Sequence, residues 1–300
     1  MEAPNKAGMA ELRKLYMEEN ATDHFIDYAD KFLFSMNQGD YEKLNYTMGD
    51  EFRRYVLPND SNPFEELLAS VRFEDVVKGR QGTVLVHPDP VRGAPIVRTT
   101  TRYGAPAQRF KPQHLHLAQL VQTTVSLPTA FNNALIEVYG NSYYKMGPHS
   151  DQAQDLAGGS SIAVFSCYKH PELAAPPRKL VVESKEIGGS KFEIPLTHNS
   201  VVVWSLDTNR RFKHKIVLDV AANPPDNQWL GITFRTSKTF IQNNDGRACF
   251  EDGAPLQLAA AGDERCEKFY KMRGAENRET GFSYPPLDFT ISQSDLMPPG

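Results

Sequence analysis

A chain of 300 residues with 40% hydrophobic and 23% charged side chains can bury a full core, which excludes disorder along its whole length. The formal net charge of −4 excludes a global electrostatic pull toward nucleic acid, so only a local basic patch would do that work. Cys167, Cys249 and Cys266 are odd in number and widely spaced, which argues against a disulfide framework or a thiolate zinc site; they read as reduced, intracellular cysteines.

The opening MEAPNKAGMAELRKLYMEEN is too charged for the centre of a signal peptide, and no apolar run reaches the roughly 18 residues that span a bilayer. A soluble cytoplasmic or nuclear protein with no membrane partner is therefore expected. From Ala7 to about Arg54 the three-to-four spacing of apolar residues in AELRKLYMEEN and HFIDYADKFLFSM predicts helices, the second started by Thr22-Asp23. These belong to a helical N-terminal extension over residues 1–78 that packs on the core, with the turn cluster PNDSNP at 58–63 as a boundary signal.

From Gly79 the pattern changes to strands broken by proline and glycine: GTVLVH, PDPVRGAP and IVRTTTRYG. HLHLAQLVQTTV and TAFNNALIEVYG predict two short helices. Then SIAVFSCY, RKLVVES, KFEIPL, SVVVWSL, HKIVLDV and WLGITFRTS follow one another with turn signals between them. Such a supply of short strands predicts a mainly β protein, a two-sheet jelly roll over residues 79–243, flanked by helices. Residues 244–300 read as an irregular C-terminal extension wrapped on the core.

One constellation carries chemistry. In His149-Ser150-Asp151 an imidazole and a carboxylate stand two residues apart, and on an extended backbone such positions point the same way. A lone His-x-Asp is common in surface turns, so it needs a third ligand from elsewhere. His214, opening HKIVLDV after SVVVWSL, supplies a candidate. Two imidazoles and one carboxylate leave coordination positions open, as Fe(II) needs in order to bind a co-substrate and O₂. His87/Asp89 and His170/Glu172 share the spacing but enclose a proline, and read as turns. His24, His114, His116 and His198 have no acid at that spacing and read as structural or exposed. Arg235 ends the apolar run WLGITF, where a guanidinium can pair with a dicarboxylate beside the metal.

PIVRTTTRYG, FNNALIEVYGNSYYKMGPHSD, IPLTHNSVVVWSLDTNRRFKHKI and ITFR, in that order over roughly residues 95–240, resemble the AlkB family of dioxygenases. The resemblance implies a double-stranded β-helix, the use of Fe(II), 2-oxoglutarate and O₂, and removal of alkyl groups from nucleic-acid bases. It assigns His149, Asp151 and His214 to the metal, and Arg235 to the last arginine of an Arg-x-Asn-x-Thr-Phe-Arg strand. Tyr139 takes the place of the tyrosine of an Asn-x-Tyr motif that contacts 2-oxoglutarate, with Asn141 and Tyr143 as an alternative register. Trp204 and Thr233 fall on other walls of that pocket, while Arg98 and Tyr103 resemble the segment that meets the substrate.

The departures from the pattern are specific. Trp229 replaces the first arginine of the last motif, Gly231 its asparagine, and Glu137 the Asn-x-Tyr asparagine, so the hold on the distal carboxylate of 2-oxoglutarate is altered. Gln152, Ala153 and Gln154 stand where acidic residues commonly follow the metal aspartate. The first functional expectation is hydroxylation or demethylation of an alkylated base in DNA or RNA. Arg92, Arg98, Arg102, Arg109, Lys111, Arg210, Arg211, Lys213 and Lys215 are candidates for its positive face. The alternatives are a dioxygenase acting on a protein side chain or small metabolite, and a non-catalytic jelly-roll binding module.

Overall fold

The chain divides into two units, Met1–Leu44 and Asn45–Gly300. The computed structural model describes residues 46–48, 51–58 and 61–300, all within the second. The helices expected between Ala7 and Leu44, and His24, lie outside the described residues. No helix among the described residues is long and apolar enough to cross a membrane.

The second unit is built on one large sheet. Its strands are β1 (Tyr46–Met48), β2 (Phe52–Val56), β3 (Glu74–Val77), β4 (Arg80–Val86), β6 (Gln108–Arg109), β7 (Asn133–Gly140), β8 (Ser161–Tyr168), β11 (Ser200–Ser205) and β13 (Gln228–Arg235). They lie in the order β1-β2-β11-β8-β13-β7-β4-β3, antiparallel throughout, with β6 added parallel to β4. A smaller antiparallel sheet, β10-β9-β12, combines β9 (Lys179–Ser184), β10 (Lys191–Pro195) and β12 (Phe212–Val217).

Alternation along the large sheet's strands creates two cores. Ala134, Ile136 and Val138 of β7, Ala163 and Phe165 of β8, Val201 and Val203 of β11, and Leu230, Ile232 and Phe234 of β13 face outward. They pack under α1 (Phe64–Ala69) and α2 (Pro112–Val125). The alternate residues Tyr139, Ile162, Val164, Val202, Trp204 and Trp229 face inward and meet Leu180, Val182, Ile194, Phe212 and Ile216 of the small sheet. Because both faces of the large sheet are covered, its strands read as near-continuous apolar runs. The result is the predicted mainly β jelly roll.

Three expectations change. TAFNNALIEVYG contributes β7 instead of a helix, because Ala134-Ile136-Val138 and Leu135-Glu137-Tyr139 serve opposite buried faces. Phe52–Val56, partly inside the expected helical stretch, is a strand paired with β11. IVRTTTRYG forms no strand; only Ala94–Pro95 (β5) pairs, with β14 (Phe240–Asn244).

The C-terminal stretch, expected to be irregular, contains β15 (Arg247–Phe250), β16 (Gln257–Leu258), α4 (Glu264–Glu276) and β17 (Phe289–Thr290), while the short helix α3 (Leu206–Arg211) joins β11 to β12. Asp263 caps α4, accepting a bond from Arg265 N at 2.8 Å. The helix buries Cys266, Phe269 and Arg273, an i, i+3, i+7 stripe masked by its charged neighbours. Phe269 and Cys266 pack with Ala259, Leu287, Phe289 and Ile291 in a satellite core.

Candidate metal centre and co-substrate cavity

His149 reaches the small sheet through a two-way backbone bridge to β12: His149 N donates to His214 O at 2.9 Å, and His214 N to His149 O at 2.7 Å. Two of the expected ligands are thus direct cross-strand partners. SVVVWSL is not hydrogen-bonded to the His214 strand. It runs in the large sheet, and Trp204 meets the His214 ring edge-on across the sandwich, with centroids 5.0 Å apart.

Asp151 completes the set. Its Oδ1 is 3.4 Å from His214 Nε2 and 4.0 Å from His149 Nε2, and one ligand atom from each residue lies within 4.8 Å of the others. Among the described residues this is the cluster of histidine, cysteine and acidic side chains able to hold a metal. His170 and Glu172 are 3.5 Å apart but exposed. His114 is buried and structural, accepting from Lys111 N at 3.0 Å and bonded to Ser70 Oγ at 2.8 Å.

The donor set suits a ferrous ion. The Nδ1–H of His149 donates to Gly147 O at 2.9 Å, which leaves Nε2 with its lone pair toward the centre. Ring burial first, then His214 and Arg273, depress the His149 pKa to about 3, so the imidazole is a neutral ligand at physiological pH. Burial alone would raise the Asp151 pKa, but Arg235, His214 and His149 outweigh it and hold the carboxyl well below its ordinary range. Arg235 Nε donates to Asp151 Oδ2 at 2.6 Å, leaving Oδ1 for the metal.

The triad opens into a cavity of about 90 Å³ lined by Thr99, Thr100, Thr101, Tyr139, Thr233 and Arg235 among others. Tyr139 and Thr233, expected at the co-substrate pocket, both line this cavity. Neither Asn141, which bonds to Pro225 O, nor Tyr143 lines it, which favours the Tyr139 register. Trp204, expected on another wall of the pocket, does not line the cavity; it packs edge-on against the His214 ring from the large sheet. The segment expected to meet the substrate contributes through Thr99–Thr101. Arg98 is instead buried against Asp155 and the carbonyls of Leu287 and Phe289. Tyr103 is buried over β4, where a Cβ on Gly82 would fall 2.9 Å from its hydroxyl oxygen.

Sequence reading missed two wall residues and a residue that holds the ligand loop. Arg80 and Arg273 reach the cavity from β4 and α4, elements whose placement depends on tertiary pairing. Asn209 holds Asp151 by two reciprocal bonds, Asp151 N to Oδ1 and Nδ2 to Asp151 O, each 2.8 Å. Its only local signal is a polar residue at the end of a short helix next to a ligand strand.

A jelly roll that presents a two-histidine, one-carboxylate face beside an arginine-lined cavity defines a non-haem iron oxygenase. The sequence pattern of the 2OG-Fe(II) oxygenase superfamily matches residues 62–235, and the chain belongs to that family. It is an oxidoreductase that uses Fe(II), 2-oxoglutarate and O₂. Two solved structures are similar at low identity. OsALKBH1 is 13% identical with a TM-score of 0.41, covering 64% of this chain and 100% of that one. A 2OG-Fe(II) oxygenase family oxidoreductase from Burkholderia pseudomallei is 12% identical with a TM-score of 0.38, covering 67% and 91%. No curated protein sequence matches the chain.

Proposed function

We propose that the protein hydroxylates or demethylates an alkylated base in DNA or RNA. Fe(II) with 2-oxoglutarate and O₂ would supply the oxidant, one oxygen atom passing into succinate with loss of CO₂ and the other into the substrate C–H bond, and an N-methyl group so hydroxylated would leave as formaldehyde. His149, Asp151 and His214 hold the metal, Arg235 fixes the metal carboxylate, and Tyr139 and Thr233 wall the co-substrate.

The observation that carries the base reading is Gln152. It follows a metal ligand, lines the cavity, and is 4% exposed, and its amide makes no hydrogen bond of ordinary geometry among the described residues, the Tyr284 hydroxyl being a polar neighbour. The nearby Tyr284 hydroxyl donates to Glu276 instead. A buried primary amide that offers both a donor and an acceptor to the cavity matches the polar edge of a nucleobase, and it takes the place of the acids expected after Asp151.

A second reading, oxidation of a protein side chain or small metabolite, is favoured by charge pairing. Arg92, Arg210, Arg211 and Lys213 each lie within ion-pair distance of an acid, which reduces the expected positive face. Methylated oligonucleotides, peptides and metabolites incubated with enzyme, Fe(II), 2-oxoglutarate and ascorbate separate the two. Formaldehyde and succinate released with oligonucleotides alone, and lost in Asp151→Ala, support the base reading. Turnover confined to peptides or metabolites sinks it. Reversing the exposed Arg102, Arg109 and Lys111 is expected to weaken single-stranded nucleic-acid binding and lower its salt dependence.

A further inference from the structure

Arg80, Tyr139, Trp229 and Tyr168 form one row across the large sheet: Arg80 pairs with Tyr139, Tyr139 with Trp229, and Trp229 with Tyr168. Residues paired in this way share a face. Trp229 brings no charge to the row. Its indole folds back over Gly231, where a Cβ would fall 2.0 Å from Trp229 Cη2, and Gly231 brings no side chain at all. The β13 side of the row carries no charge, its polar group being the Trp229 Nε1–H, which has no acceptor among the described residues.

The cation stands two strands away. Arg80 lines the same cavity as the metal triad. Glu137 orients it, accepting through Oε1 from Arg80 Nε at 2.7 Å and Nη2 at 2.6 Å, while the other oxygen of Glu137 accepts from Tyr139 Oη at 2.7 Å. Arg80 Nη1 has only a long 3.4 Å contact to Tyr143 Oη. Burial would lower the Arg80 pKa, but Glu137 and the surrounding tyrosines raise it above the ordinary value, so the guanidinium stays charged.

The charge balance of this corner is uneven. Arg80 and Arg178 stand 5.8 and 5.4 Å from the Tyr139 ring centre, two guanidiniums against the single carboxylate of Glu137. Arg178 is spent on the carbonyls of Tyr143 and Gly140, at 2.8 and 2.9 Å. The other arginines of the cavity are committed as well, Arg235 to Asp151 and Arg273 to Glu276 and the Ser150 carbonyl. Arg80 is paired too, but through one oxygen of Glu137, and its Nη1 has no short acceptor; with Arg178 facing no acid of its own among the described residues, the corner keeps one positive charge in excess.

We propose that Arg80 binds the distal carboxylate of 2-oxoglutarate, so that β4 supplies the cation that Trp229 does not. Glu137 and Tyr139 position the guanidinium, and the keto-acid end lies at the triad. The proposal rests on the family's use of 2-oxoglutarate and names the residue that selects this acid over shorter ones.

The test is binding without turnover. Protein loaded with Fe(II) in the absence of O₂ is titrated with 2-oxoglutarate, with its 5-amide, and with 2-oxobutyrate, which lacks the distal carboxylate. The charge-transfer absorbance of the chelate and the fluorescence of Trp204 and Trp229 report binding. Arg80→Gln is expected to weaken 2-oxoglutarate by about 30-fold, the loss of hydrogen bonds to a charged group, while 2-oxobutyrate shifts less than about two-fold. Arg80→Lys, which keeps the charge without the fork, is expected to fall between.

Equal losses for both acids would mean a structural role and overturn the proposal, as would an unchanged affinity for 2-oxoglutarate. Wild-type protein provides a measurement independent of how the variants fold. It is expected to prefer 2-oxoglutarate over the 5-amide by about 10-fold or more, and equal affinities would overturn a cationic distal site. Wild-type protein that binds Fe(II) but none of the acids would remove the co-substrate reading itself.

Discussion

Replacing Arg98 with Met strands one of the most enclosed charges in the molecule. Asp155 is 1% exposed at its side chain and Arg98 4%. The Asp155 carboxylate accepts from Arg98 Nη2 at 2.7 Å, Nε at 3.0 Å and the Arg98 backbone N at 2.8 Å; Arg98 Nη1 also donates to Leu287 O and Phe289 O. Met keeps the apolar stem, so the loss isolates the guanidinium. Removing one partner of a buried pair costs about 3–5 kcal/mol, because the remaining charge has neither water nor a counterion. For a unit of this size that lowers Tm by roughly 6–20 °C, read by calorimetry and by the urea midpoint at constant m. Arg98→Met with Asp155→Leu is expected to recover much of the loss, since the pair's net worth over a packed apolar pair is small. Cleavage after Asn244 is expected to become easier in the single variant, because two tail carbonyls lose their donor. A cost below about 1 kcal/mol, or a double variant no better than the single, would refute the reasoning.

Three further outcomes follow from the geometry. Asp151→Ala is expected to weaken Fe(II) binding by more than about 100-fold and to abolish succinate formation, measured by metal titration and by NMR; retained iron would contradict the triad. Gly231→Ala drives a methyl group into the Trp229 indole and is expected to cost about 1–3 kcal/mol, with a shifted tryptophan emission reporting the displaced ring. Burial, with Lys111 adding to it, depresses the His114 pKa from 6.5 to about 4. The unfolded chain therefore binds a proton here that the folded protein excludes, so this contribution is complete above pH 6.5 and is lost as pH falls toward 4. It amounts to about 3 kcal/mol, and His114→Gln should flatten the fall of Tm with pH over that window.

What the sequence made legible is local chemistry. His149 and Asp151 at two-residue spacing on an extended segment, and His214 at the start of a strand, come together because a single bridge aligns 149 with 214. The β-branched runs SVVVWS and RKLVVES announce their strands. ALIEVYG does not, since a short apolar run buried on both faces lacks the period that distinguishes strand from helix. Arg80 was invisible as a site residue because its role depends on β4 pairing with β7, 57 residues away from Glu137. Arg98 was misleading for the opposite reason: a charged residue beside a substrate-facing segment looks exposed until its partners Asp155, Leu287 and Phe289 are known. The helix α4 was hidden by its charged face.

The ligand loop shows why the C-terminal stretch matters to the chemistry. Each backbone polar group from His149 N to Asp151 O is engaged by another element. His214 of β12 pairs with both groups of residue 149. Asn277 accepts from Ser150 N, Arg273 donates to Ser150 O, and Asn209 holds both groups of Asp151. Glu276 accepts from Ala153 N one step further on. A loop fixed from three directions has its backbone entropy already spent, so two ligand side chains are set before a metal arrives and binding does not bear that cost. The adaptable parts of the cavity then lie on the substrate side, where Gln152 offers an amide and Thr99–Thr101 follow no strand. Rigidity at the metal with adaptability at the substrate wall lets one oxidation chemistry be aimed at a particular substrate by changing few residues.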